Sequence, residues 1–186
     1  LVALFAVVLF VVSLVVVYNF AGGSRPVAAA VRVLLVTSMG NITIELYGDM
    51  PITVGNFESL VNSSAYDGTI FHRVVAGFVV QGGDVSVKGI NAASIADELP
   101  NKHSNVRGSV AMAKSSGPTG GAIADSATCQ FYVNLKDNSA ALDRDYSVFG
   151  RVVAGMDVVD ALSNVAVDAN SKPLQDVTLI NASMIG

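Results

Sequence analysis

The pattern of apolar and polar positions divides the chain into two unequal parts. Leu1 to Val17 is apolar throughout, with Ser13 its one polar residue and no charge. Drawn as a helix, that run rises about 26 Å, close to the thickness of a bilayer's hydrocarbon core. Tyr18 and Phe20 stand where interfacial aromatics belong, and Arg25 follows. A buried core helix would show a polar face. The pattern therefore predicts a hydrophobic helix over residues 1–20, a membrane anchor or export signal. Ala28-Ala29-Ala30 offers a small-residue cleavage site, whereas the length of the run favours an uncleaved anchor. With no initiator Met and no basic leader, the true start is expected upstream. The rest of the chain is expected outside the cytoplasm, anchored there or secreted after cleavage. Residues 21–31, with Gly22-Gly23-Ser24 and Pro26, read as a linker, and 32–186 as the folded domain.

Past the linker the periodicity changes. Val33 to Thr37 is rich in β-branched residues. Ile42, Ile44 and Leu46 alternate with Thr43, Glu45 and Tyr47, the period of a strand with one buried face; with a turn at Met39-Gly40-Asn41 the pair predicts a hairpin. Pro51 to Val61 predicts a helix. Proline opens it where a missing N–H costs nothing, and Val54, Phe57 and Leu60-Val61 form an apolar stripe. Strands are predicted over Thr69–Val75 and Gly77–Gln81, then Gly108–Ala113, Gln130–Leu135, Ser147–Val153 and Val177–Ile180. A second helix is predicted over Met156–Val165, with Val158, Val159 and Leu162 inward. Val85–Val106 reads mostly as loop, and Lys114–Thr128 as a long Gly-rich one, a length that points to function or mobility. In Gln130–Leu135, parity sets Phe131, Val133 and Leu135 on one face and Gln130, Tyr132 and Asn134 on the other. Seven or eight short strands with two helices far apart argue against a parallel α/β sheet. They fit a mainly β antiparallel barrel or sandwich.

Composition and charge remove several chemistries. Hydrophobic residues make up 52% of the 186, and much of the excess lies in the first seventeen positions. A net charge of −4 gives no basic face for a nucleic acid. One cysteine excludes internal disulfides and cysteine-rich zinc sites, and two histidines argue against a metal site of several imidazoles. Hydrolysis would need a serine or cysteine beside a histidine, yet no Gly-x-Ser-x-Gly elbow occurs, and Cys129 has no neighbouring base in sequence. Gly82-Gly83 is not followed by the Lys-Ser/Thr of a phosphate loop. The triplets at Asn41, Asn62 and Asn181 are glycosylation sequons, relevant only where a glycosylation system meets the domain.

One stretch, YDGTIFHRVVAGFVVQGGD from Tyr66 to Asp84, together with RGSVAMA, DSATCQFYVNL and LDRDYSVFGRVVAGMDVVDAL in that order, resembles the cyclophilin-type peptidyl-prolyl isomerases, closest to their bacterial-style branch. The resemblance runs from about Val33 to the C-terminus. It implies a closed eight-stranded antiparallel β-barrel capped by two α-helices. It implies a proline isomerase that needs no cofactor and no metal, acting as a monomer on proline-containing unfolded or partly folded polypeptides. Arg73 matches the catalytic arginine. Phe78, Val79, Tyr132 and Leu142 match the proline pocket. Gln81 matches the glutamine that bonds the substrate backbone and orients the arginine. Ala113 and Lys114 match the edge along which the peptide lies, and Gln130 a further polar contact. His72 matches a neighbouring site histidine, and Tyr146 lies where the family has His or Tyr.

Two positions depart from the family pattern. Tyr132 stands where Phe is common, adding a hydroxyl, and Ala141 stands where an aromatic usually precedes Leu142. The lost aromatic predicts poor binding of cyclosporin-like macrocycles. The resemblance thus leads to an isomerase assisting the folding of exported or membrane proteins. The alternative is a catalytically weak cyclophilin-fold chaperone or proline-segment binding module.

Overall fold

A computed structural model describes residues 30–185. The predicted hydrophobic helix over residues 1–20 lies outside the described residues, as does most of the linker. Among the described residues, no helix is long and apolar enough to cross a membrane.

The first hairpin joins β1 (Arg32–Thr37) to β2 (Gly40–Leu46). Val33, Leu35, Ile42, Ile44 and Leu46 all point into the core, as their period requires. Helix α1 (Pro51–Asn62) follows and buries Val54, Phe57, Leu60 and Val61. Its Met50 cap residue offers no side-chain acceptor. The cap comes from far along the chain: the Glu98 carboxylate accepts from Ile52 N at 3.1 Å and Thr53 N at 2.8 Å. A negative group at the positive end of a helix satisfies two free donors and the dipole together.

The remaining strands are β3 (Thr69–Ile70), β4 (Arg73–Val75), β5 (Val79–Gly82), β6 (Ser109–Met112), β7 (Phe131–Asn134), β8 (Val148–Ala154) and β9 (Thr178–Ile185). Between β7 and β8 lies a single helical turn, α2 (Ser139–Leu142), and after β8 comes α3 (Met156–Ser163). The nine strands of the described residues form one antiparallel sheet in the order β3-β9-β1-β2-β8-β6-β7-β5-β4. In β1 and β9, Arg32 stands opposite Ile185.

The sheet curls into a half-barrel, and its closure differs from the predicted closed eight-stranded barrel. No ladder joins β3 to β4 among the described residues. These two outermost strands are consecutive in the chain, so Phe71 and His72 connect the ends of the sheet covalently. Gly82 of β5 lies directly against this link: an added Cβ would be 3.0 Å from both the Ile70 carbonyl oxygen and the Phe71 ring. The run predicted as one strand over Thr69–Val75 is therefore two, because the chain leaves one edge of the sheet at Ile70 and enters the other at Arg73.

The main core lies inside the curl. Phe57 packs on Tyr66, Phe131 and Phe149 at centroid distances of 5.2, 5.4 and 4.9 Å, and Phe131 also meets Tyr66 and Phe71 edge to face. Burial of each such side chain contributes about 1.5–3 kcal/mol. Helix α3 adds Val159 and Leu162. A second, smaller cluster of Val79, Ala111, Tyr132 and Val148 lies apart from it. Strand β7 serves both, with Phe131 and Val133 in the main core and Tyr132 in the small cluster. Thus the face of β7 that parity sets opposite Phe131 is buried, and it forms the base of a cleft.

Candidate active site

The register of the sheet assembles this cleft. Across adjacent strands, Arg73 of β4 stands opposite Gln81 of β5, Gln81 opposite Tyr132 of β7, Tyr132 opposite Ala111 of β6, and Ala111 opposite Val148 of β8. Directly opposed residues share a face, so this row sets a guanidinium, a carboxamide and an aromatic ring side by side. Because the side-chain period is two, a slip of one residue in any of these ladders would turn a member of the row away. Cleft and core are coupled by the same alternation: Val79 and Gln81 face the cleft, and Val80 between them is fully buried in the main core.

The cleft has a volume of about 370 Å³. Of the sequence-predicted site residues, Arg73, Phe78, Val79, Gln81, Ala113, Lys114, Tyr132, Leu142 and Tyr146 line it. Phe78 and Val79 face it together although they are neighbours in sequence. Phe78 closes a turn, its N–H donating to the Val75 carbonyl at 2.9 Å, and lies just outside β5, where strand parity does not apply. Leu142 and Tyr146 come from α2 and the turn after it, and the rings of Tyr132 and Tyr146 meet edge to face at 6.0 Å.

Gln130 and His72 do not line the cleft. Gln130 stands behind it, its Oε1 accepting from Gln81 Nε2 at 2.9 Å, and it lines an adjoining cavity of about 160 Å³ with Ser126 and Thr128. Gln81 in turn accepts from Arg73 Nη1 at 3.2 Å. The chain Arg73–Gln81–Gln130 thus fixes the guanidinium by a neutral partner. Among the described residues, no carboxylate lies within ion-pair distance of Arg73, so its positive charge stays uncompensated at the cleft. His72 is half-buried with its Nδ1 enclosed. Burial pushes its imidazole pKa down, against smaller opposing effects of Asp84 and Gln130.

Lys114 lines the cleft with its stem, while its ammonium turns away. The side chain is 3% exposed, and its ammonium pairs with Asp97 and donates to the Asp145 carbonyl at 2.9 Å. The Tyr132 hydroxyl likewise points out of the cleft, to Asn105 Oδ1 at 2.8 Å. Burial raises that phenol's pKa, which keeps it a donor. Ala141 is exposed on α2 and does not line the cleft. Cys129 is buried, and its carbonyl accepts from the Tyr66 hydroxyl at 2.7 Å, a packing role.

Sequence reasoning missed two residues. Ser116 joins the cleft wall from the Gly-rich segment, which is a small hairpin with Ser116 bridged to Ala122. Asn105 lies beneath the wall. Neither belongs to a periodic element, so no pattern marked them.

Chemically, the arrangement offers an apolar cup beside a fixed, uncompensated guanidinium. The comparisons agree with that chemistry. Residues 32–184 match the family described as Cyclophilin type peptidyl-prolyl cis-trans isomerase/CLD. A peptidyl-prolyl cis-trans isomerase of Acinetobacter baylyi is 42% identical over 160 residues, covering 80% of this chain and 82% of that protein. Peptidyl-prolyl cis-trans isomerase A of Dickeya dadantii is 43% identical over 155 residues, covering 78% and 77%. A crystal structure of a cyclophilin-type isomerase from Cryptosporidium parvum, in the presence of the dipeptide Ala-Pro, superposes with a TM-score of 0.74 at 25% identity, covering 83% of this chain and 99% of that one.

Proposed function

The chain belongs to the cyclophilin-type peptidyl-prolyl cis-trans isomerases, and on that footing we propose that it accelerates rotation about X-Pro bonds with Arg73 as its catalytic residue. The observation that carries the assignment is the cross-strand row in which Gln81 holds an uncompensated Arg73 beside an apolar cup.

The uncatalysed barrier, about 18–20 kcal/mol, arises because the amide nitrogen's lone pair is delocalised into the carbonyl. X-Pro bonds populate both isomers but exchange over tens to hundreds of seconds. Twisting the bond localises the lone pair and makes the nitrogen pyramidal. A guanidinium aimed at that nitrogen donates more strongly to the twisted state than to either planar one, and only such differential binding speeds the reaction. Phe78, Val79, Tyr132 and Leu142 hold the proline ring while the preceding carbonyl turns. Gln81 bonds the substrate backbone and keeps Arg73 aligned. A thousandfold acceleration requires about 4 kcal/mol, the range of a charge-assisted hydrogen bond made in a site that excludes water.

Its substrates are proline-containing segments of unfolded or partly folded polypeptides, and it acts as a monomer, since one chain supplies the whole cleft. The apolar run over residues 1–20, read as a hydrophobic helix, supports a place outside the cytoplasm. There the domain, anchored to the membrane or secreted after cleavage, assists the folding of exported or membrane proteins. A binding module without turnover is the second reading, favoured by the exposed Ala141, which leaves the rim without a large stacking surface.

The deciding experiment is isomer exchange of a short Ala-Pro peptide, followed by NMR with the full chain and with Arg73→Ala. We expect the substitution to lower kcat/KM by about 10²–10³-fold while peptide binding persists, the loss of one transition-state hydrogen bond to a charged group. Equal, background exchange in both folded proteins would establish the binding module instead.

A further inference from the structure

The cleft is walled by two pieces that are not continuous in the chain. Tyr132 belongs to β7, whereas Leu142 and Tyr146 belong to α2 and the turn that follows. Asn105 lies behind the junction in an irregular segment, and none of its surface is exposed. Its Oδ1 accepts from the Tyr132 hydroxyl at 2.8 Å and from Asn134 Nδ2 at 3.1 Å. Its Nδ2 donates to Asp143 Oδ1 at 2.9 Å and to the Tyr146 carbonyl at 3.4 Å. Its backbone N–H donates to the same Asp143 oxygen at 2.7 Å. A carboxamide carries its acceptor and its donor at two different edges of one rigid planar group. Here the acceptor end holds the β7 wall and the donor end holds the wall of residues 143–146.

From this bridge we infer that Asn105 is a positioning residue that sets the width of the proline cleft and makes the enzyme selective for a five-membered imino acid ring. The inference rests on the isomerase reading above. Because the Tyr132 hydroxyl is engaged behind the wall, the surface turned to the substrate is the bare ring. For the walls to part, a hydrogen bond to the Asp143 carboxylate must break or a buried hydroxyl must lose its partner, and both are costly in a site closed to water. A pipecolyl ring, one methylene larger than prolyl, has to force that separation. A methylene in a fixed pocket is discriminated about 10–200-fold, and a loosened pocket loses part of that factor.

Asn105 is tested by cutting the bridge at either end. Tyr132→Phe removes only the hydroxyl, and Asp143→Ala only the opposite anchor. Turnover and affinity of the full chain and these variants are measured by NMR exchange and titration, for an Ala-Pro peptide and its pipecolyl counterpart. Each single variant is expected to lower the prolyl-to-pipecolyl kcat/KM ratio by about threefold or more, mainly through KM. The double variant should fall no further than the lower single one, because both cut the same bridge. Leu179→Ala truncates the core in β9, which adds nothing to the cleft. It should lower the melting temperature and leave the ratio alone, separating width from stability. An unchanged ratio in folded Tyr132→Phe overturns the inference, as do additive losses in the double variant. If the wild type binds both peptides and turns over neither, the isomerase reading fails, and the ratio of affinities still decides the role of Asn105.

Discussion

The His72 imidazole is enclosed and its pKa is lowered chiefly by burial, which makes its proton equilibrium part of the fold's stability. The folded state favours the neutral ring. As pH falls below the usual imidazole value of about 6.5, the unfolded chain takes up a proton that the folded one refuses, so stability declines with falling pH until the folded ring also titrates. The urea midpoint should therefore fall between pH 7.5 and 5.5, and fall less in His72→Gln; equal declines in the two proteins would show that His72 does not contribute. Much of the site was legible at this scale. Strand alternation already set Gln130 and Tyr132 on the face opposite Phe131. Where a long side chain ends was not legible. Alternation fixes the direction of a Cα–Cβ bond, but the Lys114 ammonium is set by Asp97, seventeen positions away, and the Tyr132 hydroxyl by Asn105, twenty-seven away.

Single elements show which devices are local and which are borrowed. Helix α1 was legible because Pro51 and a spaced apolar stripe are local signals. Its Glu98 cap was not, since the acceptor arrives from a loop 45 and 46 positions onward. Glu98→Ala should cost about 1–2 kcal/mol in urea unfolding, the range for losing a helix cap, with kcat/KM unchanged; a loss of activity at full stability would contradict this role. Helix α3 starts after Gly155, whose φ is +85° and whose added Cβ would collide with the Asn41 carbonyl oxygen and lie 2.9 Å from Ile42 Cα. Gly155→Ala combines left-handed strain with a backbone clash and should destabilise by about 2 kcal/mol or more, read as a fall in melting temperature. An unaltered melting temperature would mean that the β8–α3 corner yields freely. The helix ends at Ser163, two residues before its predicted limit, and α2 passed unnoticed because one turn shows no period. Strand β9 reaches Ile185 where the apolar run predicted only Val177–Ile180. Its second half, Asn181 to Ile185, has little hydrophobic alternation and is held by pairing with β1.

Across the whole molecule, the mainly β antiparallel class followed from many short strands with two distant helices, whereas the order of those strands did not. Register is decided between segments far apart in the chain, and no local pattern records that β2 lies beside β8 or that the sheet's ends meet through Phe71 and His72. The motif-rich blocks bridged that gap, because each of them contains at least one residue that the fold brings to the cleft.

The pairing of Arg32 with Ile185 has a mechanical consequence. Force applied outward at these two residues acts on neighbouring antiparallel strands from the same end, so the β1–β9 hydrogen bonds are loaded one after another, each worth a net of about 1 kcal/mol. Pulling between Arg32 and Tyr132 instead strains the ladders of β2, β8 and β6 together. In an optical trap the first geometry should peel open at clearly lower force than the second, and equal forces would mean that the β1–β9 seam is not where the domain gives way. A tether drawing on one end and a substrate drawing on the cleft would thus load the domain along its stronger direction.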